Sequence, residues 1–272
     1  MIRDSFEGLD YHIHTNHSDG VLNPKQIVDR YIERGYRQIA ITDHDTISGS
    51  WVAYFYSLKK DIEIIPGIEF STKDNEGREI HILGYGIEYT NRILNEAINQ
   101  MSAWRDERNR KLFSALNELG YDVTEDEVRR VNGGLFIGKP VIARVLIEKG
   151  YVDNIEHAFE EIFKGDDLKH IKTEVYPAKT AIDIIHLSGG LAVWAHPFEL
   201  REEGESEEEF IPKLYSMLDR MMAWGIDGIE CVHPSANADH QEMLAEFAKS
   251  NNLVITAGSD FHSDDTRRTY EG

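Results

Sequence analysis

The sequence lacks the features that define several other classes of protein. Cys231 is the only cysteine among 272 residues, so an internal disulfide is impossible and a disulfide-stapled scaffold is excluded. No apolar run approaches the roughly 18 residues that a membrane-spanning helix needs. The N-terminal stretch MIRDSFEGLD also lacks the apolar segment of a signal peptide, and we therefore expect a cytoplasmic protein.

Positive charge is scarce as well. The chain has 29 Lys and Arg against 49 Asp and Glu, which gives a formal net charge of -20. This excess of negative charge argues against duplex nucleic acid and anionic membranes as partners. A small ligand stays possible, because one site can differ in charge from the rest of the surface.

What the sequence does contain is a repeated strand-helix pattern. Short β-type runs are each followed by a helical pattern, and the first helix begins with Asn23 as N-cap and Pro24 in the first turn. Pro66 and Gly67 interrupt the third run. The seven candidate strands are residues 9–14, 38–42, 63–70, 79–84, 191–195, 227–231 and 253–257. This alternation predicts an α/β fold of parallel βαβ units closed into a barrel, with a doubly wound open sheet as the alternative.

The strand signal disappears over residues 91–174, where helical patterns take over. Gly120 and Gly150 punctuate these patterns, and Thr124 with Glu127 forms a capping-box motif. We interpret residues 91–174 as an inserted helical subdomain, and residues 1–90 and 175–272 as the barrel domain.

Histidines and carboxylates cluster at the ends of the predicted strands. His12 and His14 end the first strand and lie two residues apart, so their side chains point to the same face. The later strand ends carry His44, Glu69, His81, His196, Glu230 with His233, and Asp260 with His262. Because the carboxyl ends of barrel strands meet at one mouth, we expect these side chains to converge there.

Imidazole nitrogens together with carboxylate oxygens form a ligand set for divalent Mn, Zn, Fe or Mg. One carboxylate can bridge two such ions, and Glu69 is the natural candidate for the bridge. A metal-free hydrogen-bond network at the mouth is the alternative interpretation.

These motifs resemble those of the polymerase and histidinol phosphatase (PHP) family of metal-dependent phosphoesterases. The matching stretches are DYHIHTNHSDG, ITDHDTISG, PGIEFS, HILGYGIE, GGLAVWAHP, GIECVHPS and GSDFH, which extend from Asp10 to His262. The resemblance implies a distorted TIM-like barrel of seven βα units. It also implies a helical insertion like the one in the stand-alone nucleotide phosphatases of the family.

The resemblance further implies a cluster of two or three metal ions held by nine residues. Carried over position by position, the ligands of the first ion are His12, His14, Glu69 and Asp260. Those of the second ion are the bridging Glu69, His81 and His196. Those of the third ion are Asp19, His44 and His262.

Such a site would be positive on an otherwise acidic protein. Its three carboxylates supply about −3, whereas two or three divalent ions supply about +4 to +6. Water that bridges two ions becomes hydroxide near neutral pH and can attack phosphorus. The sequence therefore predicts phosphoester hydrolysis without a protein nucleophile, since the histidines that could activate a nearby serine are better explained as ligands.

The remaining chemistry needs a proton donor and a contact for phosphate. His17 or His233 could protonate the leaving group because neither is required as a ligand, although a loop histidine bonded to backbone is the alternative for each. Arg144, in a segment similar to the Pro-x-x-Ala-Arg of related phosphatases, and Lys139 are the predicted substrate contacts. A surface ion pair is the alternative for Arg144.

Other basic residues are less favoured as phosphate contacts. Arg105 and Arg108 have helical spacing in WRDER and are further candidates for the substrate contact, although we expect them to be solvated. The histidines expected to be structural are His157, His170, His186 and His240.

The resemblance favours a phosphatase of small nucleotide-like or sugar-like phosphomonoesters. Nucleoside 3′,5′-bisphosphates and short 5′-phosphorylated single-stranded oligonucleotides are the leading substrates. The alternatives are a phosphodiesterase of cyclic sugar phosphates, a histidinol-phosphate phosphatase, a general amidohydrolase and a non-catalytic scaffold module. The positive excess at the metals favours phosphate over an amide, and the complete ligand set argues against a scaffold.

Overall fold

The computed structural model describes residues 5–133 and 136–264, so the predicted barrel segments 1–4 and 265–272 lie outside the described residues. The strands are β1 (Leu9–Ile13), β2 (Gln38–Ile41), β3 (Glu63–Lys73), β4 (Glu79–Tyr85), β5 (Tyr176–Pro177), β6 (Leu191–Trp194), β7 (Gly228–Val232) and β8 (Val254–Ala257). The α-helices are α1 (Pro24–Glu33), α2 (Ser48–Ser57), α3 (Arg92–Glu118), α4 (Glu125–Asn132), α5 (Lys139–Glu148), α6 (Ile155–His157), α7 (Ala178–Leu187), α8 (Glu207–Trp224) and α9 (Ala238–Ser250). A π-helical turn, Ala158–Phe163, follows α6, and a 3-10 turn, Pro197–Leu200, follows β6. Among the described residues, no helix combines the length and apolar character needed to cross a membrane.

The strands form one mixed sheet that nearly closes into a barrel. Its order is β1-β2-β3-β4-β6-β7-β8, and the short β5 pairs with β3. The segment after β8 returns to the first strand, where Phe261 forms a parallel bridge with Ile13 and its carbonyl accepts from the His14 amide. The predicted α/β barrel is confirmed, and the open-sheet alternative is wrong.

The direction of one strand differs from the prediction. β4 runs antiparallel to both of its neighbours, β3 and β6, whereas we expected parallel βαβ units throughout. Only residues 74–78 connect β3 to β4, which is enough for a hairpin and too short for the helical crossover that parallel strands need.

β3 is also continuous through the predicted interruption. Its ladder with β2 ends at Pro66, and its ladder with β4 begins at Gly67. Pro66 cannot donate a backbone hydrogen bond, so it is tolerated where one ladder gives way to the next. The two residues therefore mark a change of partner strand rather than a break.

The helices cover the sheet with apolar faces, as the first one illustrates. Asn23 accepts from the Gln26 amide while the Gln26 side chain accepts from the Asn23 amide, a reciprocal cap that begins α1. The helix then buries Ile27, Val28 and Tyr31 against the core beside β1 and β2. This packing fixes the first strand and the loop that follows it.

Between β4 and β5 the chain is helical. The predicted capping box of Thr124 and Glu127 begins α4. The first half of α3 packs Leu94 and Met101 into the barrel core, whereas Leu112 and Leu116 in its second half belong to a separate core with α4, α5 and the π-helical turn. The division of the chain at residues 91 and 174 stays a prediction.

Candidate metal centre

All nine predicted ligand residues lie at one mouth of the barrel. His12 lies on β1 and Glu69 on β3, the loop after β1 carries His14 and Asp19, and the loops after β2, β6 and β8 carry His44, His196, Asp260 and His262. His81 lies near the beginning of β4 rather than at a carboxyl end. It reaches the same mouth because β4 is antiparallel, and the β3–β4 register sets it opposite Ser71.

Glu69 lies at the centre of the cluster and is fully buried. Its Oε1 is 3.0 Å from His81 Nδ1 and 3.1 Å from His196 Nε2. Its Oε2 is 3.1–3.3 Å from ring nitrogens of His12, His14 and His44. Neighbouring ligands of one ion are roughly 3–3.5 Å apart when the metal–ligand bonds are about 2.0–2.2 Å long. The two oxygens of one carboxylate thus face two separate sets of histidines at ligand-to-ligand distances.

Two further carboxylates complete the cluster. Asp260 Oδ1 lies 3.1 Å from His14 Nε2 and 3.5 Å from His12 Nε2. Asp19 Oδ1 lies 3.2 Å from His262 Nε2, and Asp19 Oδ2 lies 3.9 Å from His44 Nε2. Each of the three predicted ion sites therefore has both carboxylate and imidazole groups around it.

Several polar atoms of the cluster find no hydrogen-bond partner within it. Within the described ranges, four of its buried atoms have no hydrogen-bond partner, namely Asp19 Oδ1, His44 Nδ1, Glu69 Oε2 and His233 Nε2. Ring nitrogens also face each other at 3.2 Å in two histidine pairs, His12 with His14 and His81 with His196. Unpaired buried polar groups are costly, and divalent cations would satisfy them. The donor set and its unsatisfied atoms therefore fit metal ions.

Charge coupling inside the cluster is strong. Burial alone would raise the pKa of Glu69, but the surrounding histidines, among them His12 and His81, hold that pKa well below its ordinary value. Burial alone would lower the pKa of His14, but hydrogen bonds to Asp260 and Glu69 raise it to about 10. For His44, burial dominates and lowers the pKa to about 3. The carboxylates are thus held ionised, as metal ligands must be.

Backbone strain accompanies this arrangement. His196 and Asp260 have φ angles of 31° and 50°, in the left-handed region that side chains other than glycine rarely adopt. Gly258 precedes this strained turn, and a Cβ on it would lie 2.2 Å from His12 Cβ and 2.4 Å from Glu230 Oε1. The close approach of β8 to β1 therefore requires glycine at this position.

Glu230 is a candidate functional residue to which the sequence analysis gave no role. It is fully buried, accepts from His12 Nδ1 at 3.0 Å, and accepts from the His196 amide at 2.8 Å. A proton on Nδ1 leaves Nε2 of His12 as the lone-pair nitrogen, aimed at Glu69 and Asp260. The strand-end position of Glu230, next to the predicted ligands, was the signal for this role.

The loop after β1 is held by another residue that the sequence analysis missed. Asp43 is buried and accepts from the amide and hydroxyl of Thr15, both at 2.7 Å, and from the hydroxyl of Ser18 at 2.6 Å. From the helical segment, Asn132 donates to the carbonyls of Asn16 and Ser18, both at 3.0 Å. These bonds fix the chain between His14 and Asp19.

The predicted proton donors lie in different surroundings. His233 is buried beside the cluster, with Nε2 3.9 Å from Asp260 Oδ2. His17 is half-buried and its Nδ1 lies 2.7 Å from the Ser48 hydroxyl, outside the groups of converging ligand atoms found among the described residues. The structure thus brings His233, and not His17, into the cluster.

The predicted substrate contacts lie on α5. Arg144 donates to the backbone carbonyl of Asp19, so it touches the loop that carries a predicted ligand. Lys139 is half-buried, with its ammonium 5.5 Å from the centre of the Phe163 ring.

Two arginines contradict the prediction that they are solvated. Arg105 is 8% exposed and Arg108 is 6% exposed, because the face of α3 that carries them packs toward the barrel rather than toward water. Arg105 pairs with the buried Asp45, and its guanidinium stacks 4.1 Å above the Phe136 ring.

The four histidines expected to be structural all lie outside the cluster. His157, His170 and His186 are exposed. His240 is buried and stacks on Phe198, with ring centres 4.1 Å apart.

A cleft of about 270 Å³ opens beside the cluster. His81 and His196 form its inner wall together with Trp194. Glu79 and Glu199 stand at its rim, and each lies 3.3 Å from the outer ring nitrogen of one of those histidines. The cleft therefore reaches His81 and His196, the two histidines that face Glu69 Oε1.

Comparison with known proteins agrees with this geometry. The model of the PHP domain family matches residues 10–218. A 5′-3′ exoribonuclease of Haemophilus influenzae is 33% identical over 93% of this chain and 89% of its own. A phosphoribosyl 1,2-cyclic phosphate 1,2-diphosphodiesterase of Eggerthella lenta is 29% identical, covering 93% of each chain. A 3′,5′-nucleoside bisphosphate phosphatase of Chromobacterium violaceum is 28% identical over 94% of this chain and 87% of its own.

Solved structures share the fold. A protein of Chromobacterium violaceum described as an amidohydrolase, with bound sulfate and no metal, aligns with a TM-score of 0.82 and 25% identity over 97% of this chain and 90% of its own. A Bifidobacterium adolescentis protein provisionally described as a metal-dependent phosphoesterase aligns with a TM-score of 0.78 and 27% identity, covering 94% and 87% of the two chains.

Proposed function

Since the chain belongs to the PHP domain family and is a metal-dependent phosphoric ester hydrolase, we propose that it hydrolyses small phosphomonoesters. Nucleoside 3′,5′-bisphosphates and short 5′-phosphorylated single-stranded oligonucleotides are its leading substrates. The names of the relatives support this choice, because an exoribonuclease and a nucleoside bisphosphate phosphatase both match more than nine-tenths of the chain. The lone buried thiol of Cys231 suits the reducing cytoplasm, where we place the reaction.

The observation that carries the proposal is the position of Glu69 between two sets of histidines. In this proposal Glu69, His12, His14 and Asp260 would hold one ion, and Glu69, His81 and His196 would hold a second. A third ion belongs to Asp19, His44 and His262. Bound Mn, Zn, Fe or Mg supplies a nucleophile from water at neutral pH and stabilises the charge that develops at phosphorus.

His233 is the proposed general acid. Its Nδ1 accepts from the Ser235 amide at 3.1 Å, which leaves the proton of the neutral ring on Nε2. That Nε2 is buried, has no hydrogen-bond partner among the described residues and lies 3.9 Å from Asp260 Oδ2. Burial alone would lower the pKa of His233, but the charges of Glu230 and Asp260 raise it, which favours a proton donor near neutral pH. His17 is the second candidate.

Arg144 and Lys139 bind and orient the phosphate in this proposal. Arg144 can reach both the Asp19 loop and a substrate oxygen because its guanidinium carries five donors in a fixed fork. Lys139 adds a point charge from the first turn of α5.

A substrate panel tests the proposal. The protein is stripped with chelator, supplemented with manganese or zinc, and incubated with a nucleoside 3′,5′-bisphosphate, a 5′-phosphorylated trinucleotide, a cyclic sugar phosphate and histidinol phosphate. Phosphorus NMR should show inorganic phosphate from the first two, and chelation should abolish it. Release of phosphate from none of the four compounds would contradict the proposal.

The second candidate function is a phosphodiesterase of cyclic sugar phosphates. It is favoured by the Eggerthella lenta relative, which matches along 93% of both chains. The same panel separates the two functions, because ring opening converts a cyclic diester to a monoester before any inorganic phosphate forms.

The acid has its own test. His233→Asn should lower kcat by about a hundredfold or more with metal content unchanged, because general acid catalysis contributes about 10²–10⁴-fold. His186→Asn, on an exposed helical position, is the matched control and should retain wild-type turnover. A wild-type kcat for the His233 variant would transfer the role to His17, whose own variant is measured in parallel.

A further inference from the structure

Arg108 is a buried cation without an anion. It is 6% exposed, its Nε has no hydrogen-bond partner, and its guanidinium forms no hydrogen bond or salt bridge within residues 5–133 and 136–264. A buried charge that is left unpaired is strongly destabilising, so we expect Arg108 to have an anionic partner in the functional, ligand-bound state. Arg105, one turn earlier on the same helix, already has Asp45 as its partner.

The surroundings of Arg108 are positive. Burial first, and then the charge of Arg105, lower the pKa of Arg108 to about 10. Burial also lowers the pKa of Lys139, and the charge of Arg108 adds to that effect. Arg108 thus lies close enough to Arg105 and to Lys139 for their charges to interact, and the buried Asp45 is paired with Arg105.

This positive group borders the metal centre. Asp45, the partner of Arg105, directly follows the predicted ligand His44 in the chain. Lys139 is close enough to Glu79 for their charges to interact, and Glu79 stands on the rim of the cleft next to His81. The positive group is therefore connected to the predicted ligand His44 through Asp45, and to Glu79, which lines the cleft, through Lys139.

We propose that Arg108 binds a second anionic group of the substrate, the phosphate or phosphodiester that is not hydrolysed. This inference rests on the proposed function and specifies its substrate class: molecules with two phosphate groups, such as nucleoside bisphosphates and the ends of oligonucleotides. A guanidinium donates two parallel hydrogen bonds to a phosphate, and Arg108 has no such partner among the residues that the structure describes.

Nucleotides that differ in one phosphate test the inference. Manganese-loaded enzyme and its Arg108→Met variant are assayed with adenosine 3′,5′-bisphosphate, adenosine 3′-monophosphate and adenosine 5′-monophosphate. Loss of a charge-assisted, bidentate contact should lower kcat/KM for the bisphosphate about tenfold to a hundredfold. Turnover of whichever monophosphate is hydrolysed should change by less than about threefold, because that molecule lacks the group that Arg108 binds.

Two further variants sharpen the comparison. Arg108→Lys keeps the charge but loses the fork, and it should restore only part of the bisphosphate preference. Arg110→Met removes an arginine from the exposed face of the same helix and should retain the wild-type preference. In chelator, where turnover stops, adenosine 3′,5′-bisphosphate should raise the melting temperature of the wild type more than that of Arg108→Met.

The possible outcomes are distinct. Equal losses for all three nucleotides, or no loss for the bisphosphate, would overturn the inference while leaving the proposed function in place. A variant that no longer folds would give Arg108 a structural role and also overturn it, because removal of an unpaired charge should not unfold the protein. A wild-type enzyme that hydrolyses none of the three would contradict the proposed function itself.

Discussion

Replacement of Glu230 by glutamine should weaken metal binding although Glu230 is not among the predicted ligands. Its carboxylate accepts from both His12 Nδ1 and the His196 amide. In Glu230→Gln, the amide of His196 still needs the oxygen, so the new NH2 group faces His12 Nδ1. That nitrogen must then accept a hydrogen bond, and the ring proton moves to Nε2, where it blocks coordination.

The size of the effect follows from the environment of the bond. A buried hydrogen bond to a charged group contributes about 1.5–3 kcal/mol. Loss of a partner that orients a metal-bound histidine typically lowers metal affinity about tenfold to a hundredfold, or about 1.4–2.7 kcal/mol. The two ranges agree because Glu230 and His12 are both fully buried, so water cannot replace the lost acceptor.

Isothermal titration of chelator-stripped protein with manganese or zinc measures this affinity. Glu79→Gln is the matched control, since Glu79 also contacts a predicted ligand, His81 Nε2 at 3.3 Å, but its side chain is 80% exposed. Water can take its place, and we expect a change in affinity of less than about threefold. An unchanged affinity in Glu230→Gln, or an equal loss in both variants, would refute the reasoning.

Other predictions concern protons, packing and metal removal. The pKa of His14 is raised to about 10, so the metal-free protein holds a proton on His14 at neutral pH. Metal affinity should therefore rise about tenfold per pH unit, for each proton displaced, between about pH 6 and pH 9. Calorimetry in buffers of different ionisation enthalpy should detect the released proton, and a pH-independent affinity would count against the assignment. Gly258→Ala should abolish activity and lower the free energy of unfolding by about 1–3 kcal/mol, because the new Cβ overpacks His12. The control is Gly204→Ala, where nothing lies within 4 Å of the new Cβ. It should cost about 1–2 kcal/mol because of its left-handed backbone, and it should leave activity intact. Chelation should lower the melting temperature by about 5 °C or more and manganese should restore it, while a melting temperature that ignores both treatments would argue against a bound ion.

The sequence was most informative where one local rule decides the outcome. The cap of α1 at Asn23 and Pro24 and the capping box at Thr124 depend on neighbouring residues alone, and both are present as predicted. The convergence of His12, His14 and Glu69 followed from strand alternation and from the rule that barrel strand ends share a mouth.

Predictions failed where distant contacts decide. The antiparallel course of β4 depends on a short connection and on pairing with β6, a strand more than a hundred residues away. Arg105 and Arg108 looked solvated because helical spacing alone does not reveal what a helix packs against. Glu230 had no assigned role because its partners, His12 and His196, are brought to it only by the closure of the barrel.

By itself the sequence determined the seven barrel strands, the helical character of the segment between β4 and β5, and the chemical nature of the site, because residue type and spacing suffice for these. Only the tertiary structure decided which nitrogen of His12 faces the cluster, which carboxylate oxygen of Glu69 faces which histidines, and that Arg108 has no partner among the described residues. Orientation and burial depend on contacts between residues far apart in the chain. Such contacts have no local signature, since each exists only once the whole barrel has closed.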